Sequence, residues 1–210
     1  MSSTCGAAYY ADSSYSNWQR ITSYFLQVQL QRHLQVRSVL EIGTGDGFVT
    51  QALRQMGVET KTLDLNPDLN PDIPGSVEAI PVPDGSFDAV NCCQVLEHLP
   101  FDRFRPSLEE VRRVAKRYLV LSLPDTRFFC ELGLKIPGVQ HLAMQCSVPR
   151  YINREVPNSC KQCGHHWEIG YAGTSFTQVK RAILDAGWHC TRVLRNTHNP
   201  WHCFFVCAKR

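Results

Sequence analysis

The sequence predicts an α/β fold, a doubly wound and mostly parallel sheet that ends in a C-terminal antiparallel hairpin. Three observations carry this expectation. Short apolar runs that suit strands buried on both faces alternate with helix-like stretches, which places helices on either side of a parallel sheet. The first run, Val39-Leu40-Glu41-Ile42, breaks at once into Gly43, Gly45 and Gly47 and continues as a helical face of Val49, Leu53 and Met56. That is strand, tight turn, helix. Two β-rich stretches then close the chain, 188–194 and 203–208, joined by a loop at 196–200.

Taken in order, residues 1–34 form an N-terminal helical segment. A polar stretch with Tyr9, Tyr10, Tyr15 and Trp18 leads into a helix on which Ile21, Phe25, Val28 and Arg32 share one face. Beyond the glycine turn, 59–65 reads as a second strand, 77–80 as a short strand and 87–93 as a further buried one. Residues 108–115 are an amphipathic helix, and 118–123 a nearly continuous apolar strand stopped by Pro124. Residues 175–186 form another amphipathic helix, with Phe176, Val179, Ile183 and Leu184 inward and Gly187 as its C-cap. No repeat or linker interrupts the plan, so 1–210 is read as a single domain. Residues 124–173 are too long and too weakly periodic for a connecting loop, and are expected to be a substrate-side insertion of the lid type.

Bulk properties exclude several classes. A domain of 210 residues buries roughly 70% of its unfolded surface and folds unaided. The opening residues lack the apolar core of an export signal, and no stretch approaches a membrane span, so a cytoplasmic protein with no membrane partner is expected. A net charge of +3 is too mild to call for nucleic acid. The densest basic group, Arg112, Arg113, Lys116 and Arg117, falls where cations favour a helix dipole. Ten cysteines fall short of a disulfide scaffold, so most are expected to be reduced.

The glycine turn follows a buried strand and opens a helix, where a backbone turns sharply and lets a ligand approach. Asp64 ends the next strand, placed to accept ribose hydroxyls of an adenosine. Phe48 stands where a nicotinamide site prefers a third glycine, and Asp46 within the turn repels a pyrophosphate. Adenosine with a cationic sulfonium fits better than a dinucleotide.

The run Glu41-Ile-Gly-Thr-Gly-Asp-Gly47, with Asp64, resembles the first motif and ribose-binding acid of class I S-adenosylmethionine-dependent methyltransferases. Residues 75–99 are similar to the adenine-side loop and fourth strand of that family, in particular its small-molecule and quinone-type members. The resemblance implies a Rossmann-like domain that binds S-adenosylmethionine through Glu41, Gly43, Thr44, Gly45, Gly47, Asp64, Leu65, Ser76, Val77, Cys92, Cys93 and Gln94. Ser76 replaces the family's frequent Asp at the adenine amino group. For Cys92 and Cys93, core packing and contact with the methionine end of the cofactor both stand.

Methyl transfer needs alignment in a water-poor pocket more than it needs a base, but a hydroxyl or protonated amine acceptor gains from one. His98 lies at the carboxyl edge of the sheet, either lining the acceptor pocket or stabilising its own loop. His166 and Glu168, in His165-His166-Trp167-Glu168, are expected to line that pocket, with Trp167 excluding water or serving as a structural plug. No metal is required. Cys160-x-x-Cys163 with His165 and His166 nevertheless has zinc-ligand spacing, with Cys130 or Cys146 in reserve. The expected function is methyl transfer to O, N or C of a small metabolite or saccharide acceptor. A non-catalytic cofactor-binding module and a nicotinamide-dependent oxidoreductase are the rivals.

Overall fold

The structure is a computed structural model that describes residues 10, 15, 17–134, 137–138, 142–148 and 164–209. Its helices are α1 (Trp18–His33), α2 (Phe48–Gln55), α3 (Phe101–Val114) and α4 (Phe176–Asp185). Its strands are β1 (Ser38–Ile42), β2 (Glu59–Asp64), β3 (Ile73–Pro74), β4 (Phe87–Cys93), β5 (Ala115–Pro124), β6 (Phe128–Leu134), β7 (Leu142–Val148), β8 (Trp188–Asn196) and β9 (Asn199–Lys209). Seven strands make one sheet in the order β3-β2-β1-β4-β5-β9-β8, and β6 and β7 pair separately. Neighbours from β3 to β5 are parallel, whereas β9 runs antiparallel to β5 and to β8. The mostly parallel sheet and its terminal hairpin are thus as the sequence predicts.

The chain leaves β1 in one direction and returns to β4 on the other side, so the carboxyl ends of β1 and β4 flank the point where strand order reverses. Open α/β sheets bind ligands in the crevice at such a point. The strands around it are buried on both faces: Leu40, Ala89, Val90, Leu119 and Leu121 are inaccessible to solvent. Helix α3 lays Phe104, Leu108 and Val111 over one face, where Trp167 and Trp188 complete the core.

Several elements differ from the sequence expectation for physical reasons. Helix α3 begins about two turns earlier, because Phe104 is a core residue ahead of Pro106. Residues 77–80 form no strand but a turn closed by Ala79 N–H on Ser76 O, with Val77 and Ile80 tucked into the core. On α1, Ile21 and Phe25 are exposed, and the inward face carries Ser23, Gln27, Leu30 and Gln31. That face is polar because it meets polar strand residues. Asn91 donates to Gln27 Oε1 at 2.9 Å, Gln31 donates to Asn91 Oδ1 at 3.4 Å, and Asn196 donates to Ser23 Oγ at 2.9 Å. These buried dipoles bond across elements far apart in sequence, a pattern that hydrophobic periodicity does not reveal. Met56 and Leu184, expected inward, are 46% and 39% exposed.

The stretch 124–173 contains the β6–β7 hairpin, whose side chains Phe128, Leu132, Leu134 and Met144 stand out in solvent. Its root is fixed by charge: the carboxylate of buried Asp125 pairs with Arg195 of β8 and, at 2.6 Å, with Arg127. The stretch returns to the sheet at Ile169, whose N–H donates to Pro124 O at 2.9 Å, with Thr126 N–H donating back to Ile169 O.

Candidate active site

The crevice is built first by the turn after β1. Gly43 has a φ of +81°, and a Cβ placed on it would stand 2.6 Å from Val95 Cγ2, so only glycine fits against the segment leaving β4. Its N–H donates to Leu63 O at 2.9 Å, carrying the strand pairing into the turn. Gly47, at φ +75°, caps α2. Asp64 closes the arrangement: Oδ2 accepts the Thr44 N–H at 2.9 Å and Oδ1 accepts the Asn66 N–H at 2.8 Å. The carboxylate is therefore pinned across the two strand ends, half-buried, with lone pairs left over. Leu65, beside it, is 58% exposed.

Behind the turn, buried Glu41 accepts the Thr50 hydroxyl. Burial pushes its carboxyl up to about 7, against the Thr50 hydrogen bond and with help from the Asp46 charge. Asp46 itself accepts the Phe48 N–H at 3.1 Å, serving the start of α2. Phe48 stacks on Tyr24 of α1 with ring centroids 5.4 Å apart, and Tyr15, under the Arg20 guanidinium, lies beside Gly45. Tyr15 was noted from sequence only as part of a polar stretch, and Tyr24 of α1 was not singled out, since neither stands at a position that a linear pattern links to the glycine turn.

Ser76 and Val77 lie on the turn that replaces the expected short strand. Ser76 Oγ accepts the Glu78 N–H at 3.1 Å, and Val77 is 5% exposed. The turn is strapped to α3 by Glu110, which takes the Ile80 N–H at 2.7 Å, and by Arg113, which donates to Ile80 O and Val82 O. The basic group at the end of α3 works internally: Arg113 meets Asp84, Arg112 donates to Gly187 O, and Lys116 pairs with Asp88.

At the end of β4 the cysteine pair splits across the sheet. Cys92 is inaccessible and belongs to the main core, where burial holds its thiol well above the usual range, while Cys93 is only partly buried on the α1 side. Gln94 adopts a left-handed φ of +57° and donates its N–H to Ser122 O. With its amide oriented to satisfy both ends, it accepts from Ser122 Oγ at 3.1 Å and donates to Glu97 Oε1 at 3.3 Å.

The short helical turn Leu96–His98 and the returning segment at 164–168 then bring four titratable groups together. His98 Nδ1 lies 3.2 Å from Gly164 O, the His98 and His165 rings meet edge to face at 4.9 Å, and His165 Nδ1 lies 2.8 Å from Glu168 Oε1. Glu97 and Glu168 are inaccessible to solvent. Burial drives the Glu97 carboxyl up to about 7. Burial and the His165 charge lower His98. Burial would also lower His165, but its Glu168 hydrogen bond and the Glu97 and Glu168 charges leave it raised. His202 of β9 lies at the same edge, where burial pushes its imidazole down to about 3.

Of the expected acceptor residues, the structure does not pair His166 with Glu168. The imidazole that Glu168 holds is His165, one residue earlier, while His166 is exposed and offers its backbone N–H to Glu97 O at 2.8 Å. Glu168 is fully enclosed, so its reach toward an acceptor runs through His165. Trp167 is a plug: 2% exposed, it packs against Phe101 and Phe104 at 4.9 Å each and donates Nε1–H to Leu99 O at 3.0 Å. Cys160 and Cys163 lie outside the described residues. Cys130 and Cys146 face each other across β6 and β7.

Residues 40–120 match the family model described as a methyltransferase domain. Over these residues the chain is similar to methyltransferase domains. The fold of the whole chain agrees. A 1,6-didemethyltoxoflavin-N1-methyltransferase from Burkholderia thailandensis, solved with S-adenosylhomocysteine, superposes with a TM-score of 0.61 at 13% identity, over 91% of this chain and 77% of that one. The magnesium protoporphyrin IX methyltransferase of Synechocystis PCC 6803, also with S-adenosylhomocysteine, gives 0.62 at 13% identity over 97% and 92%. A SAM-dependent methyltransferase from Aquifex aeolicus gives 0.60 at 18% identity over 98% of both chains. No curated protein matches the sequence. Within the methyltransferase domain, the match spans β1 to β5 and so contains the glycine turn, Asp64, the Ser76 turn, the end of β4 and His98. His165, Glu168 and His202 lie beyond it. Among the described residues no helix is long and apolar enough to cross a membrane.

Proposed function

We propose that this chain is an enzyme that transfers the methyl group of S-adenosylmethionine to an O, N or C atom of a small metabolite or saccharide. The observation that carries the reading is the Asp64 carboxylate, held by two backbone N–H groups at the switch point of the sheet and still able to accept. A ligand with vicinal hydroxyls, such as a ribose, fits that acceptor. Glu41, Gly43, Thr44, Gly45 and Gly47 form the turn that receives the amino-acid part of the cofactor. Leu65, Ser76 and Val77 flank its adenine, and Cys93 and Gln94 its methionine end, with Cys92 acting through the backbone. The bound cofactor supplies an electrophilic methyl on a cationic sulfur.

The acceptor enters over the carboxyl ends of β4 and β5, beside His98 and His166. A group there that takes the acceptor's proton raises its nucleophilicity as the methyl moves, and Glu168 acts by fixing His165 next to His98. The whole of 1–210 is one catalytic unit, with 124–173 as its substrate side, working in the cytoplasm without nucleic-acid or membrane partners. Support comes from the family match, from basic side chains engaged in internal contacts and from described cysteines that are all free. Incubation with methyl-labelled S-adenosylmethionine and small hydroxy and amino compounds tests this. Label transfer that falls with Asp64→Ala is expected. Label transfer that is the same in Asp64→Ala as in the parent would overturn the assignment of the cofactor site.

A further inference from the structure

Beyond methyl transfer, we propose that Glu97, His98 and His165 form a binding site for one borderline divalent cation, with Zn2+ as the best-fitting ion. A carboxylate oxygen of Glu97 and one ring nitrogen of each histidine all lie within 4.8 Å of one another. Ligands about 2.1 Å from a common ion stand about 3.4 Å apart in a tetrahedron, so small rotations of these side chains complete the set. Two imidazoles with one carboxylate suit zinc, and an ion held by three protein ligands keeps a fourth position for water or an incoming group.

Two further observations point to a cation. The first is the state of the buried oxygens. Glu97 Oε2 and Glu168 Oε2 are enclosed and lack any hydrogen-bond partner among the described residues. Neither carboxylate is bonded by an arginine or lysine there; their neighbours are Gln94 and His165. Two carboxylates at zero exposure with a single imidazole between them are undercompensated, and buried carboxylates are normally paired or coordinate a metal.

The second is the orientation of the rings. Each Nδ1 faces an oxygen acceptor: Gly164 O at 3.2 Å for His98, and Glu168 Oε1 at 2.8 Å for His165. When Nδ1–H donates to these oxygens, each Nε2 presents a lone pair. Metal-binding histidines are held in this way by a carbonyl or carboxylate behind the ring. Glu168 is thus a positioning residue for His165, and His166, which is exposed, stands outside the set.

The test uses the full-length protein, stripped with a chelator and titrated calorimetrically with Zn2+, with retained zinc counted by elemental analysis and X-ray absorption recorded on the zinc-loaded protein. One zinc per chain is expected, with two imidazoles and a carboxylate in its first coordination sphere. His98→Ala and His165→Ala are expected to weaken binding 100-fold or more, Glu168→Gln about 10-fold to 100-fold, and His166→Ala not at all. If the variants fail to fold, the absorption spectrum of the parent decides, since a sphere without two imidazoles contradicts the site. Absence of saturable uptake, or unchanged affinity in folded His98→Ala, overturns the proposal. Binding of S-adenosylhomocysteine to the same stripped sample is read separately, so a failure of either proposal is distinguishable from a failure of the other.

Discussion

The carboxylate of Asp64 accepts the backbone N–H of Thr44 at 2.9 Å, tying the end of β2 to the middle of the glycine turn. The same group thus shapes the turn and faces the ligand crevice. Charge-assisted hydrogen bonds of this kind contribute roughly 1.5–3 kcal/mol each. Asp64→Ala is expected to weaken S-adenosylhomocysteine binding about tenfold or more in calorimetry, with the sheet still folded. Unchanged affinity would remove Asp64 from the ligand site.

Gly43 tests the turn itself. A methyl group there meets Val95 Cγ2 at 2.6 Å on a backbone already at φ +81°. Gly43→Ala should therefore lower the melting temperature as well as cofactor affinity, because either the turn or the Val95 segment must move. At Gly45 the nearest obstacle is Tyr15 Oη at 3.8 Å, so Gly45→Ala should cost less stability than Gly43→Ala. Thermal denaturation of the pair, measured side by side, checks the order.

The glycine turn, Asp64 and the parallel sheet were legible because the chemistry is local: apolar runs, a break and an acid at the next strand end. The inward face of α1 was not legible, since Gln27 and Gln31 bond to Asn91 across some sixty residues of sequence and look like surface residues in a linear reading. The same limit applies to the acceptor side. His165 and Glu168 were visible as a dense motif, but only the fold brings Glu97 and His98 against them and turns His166 outward. The β6–β7 hairpin escaped because its apolar side chains point into solvent and leave no buried face to mark a period.

Glu41 gives a pH-dependent prediction. Its folded-state carboxyl titrates near 7 against an ordinary 4.5, so between those values the folded form holds a proton that the unfolded form has lost. Stability from this group is present below pH 4.5 and is lost as pH rises toward 7, by something of order 3 kcal/mol. Glu41→Gln should remove this slope. In urea denaturation the variant's stability relative to the parent should improve between pH 5 and pH 8; a parallel pair of curves would show that Glu41 is already ionised in the fold.

Trp167 anchors the returning segment against α3. Trp167→Ala is expected to cost about 3–5 kcal/mol, the usual range for a large buried aromatic. Trp167→Phe keeps the ring contacts with Phe101 and Phe104 but leaves Leu99 O without its donor, for about 1–3 kcal/mol. Chemical denaturation distinguishes them; equal losses would mean that the indole hydrogen bond carries the effect and the packing little.

The central claim is that the crevice at β1, β2 and β4 is an adenosyl-sulfonium site. Calorimetric titration of the purified protein with S-adenosylhomocysteine, and separately with NAD, tests it most directly. Saturable binding of one S-adenosylhomocysteine per chain with no heat from NAD is the predicted result; binding of NAD with none of S-adenosylhomocysteine would contradict it.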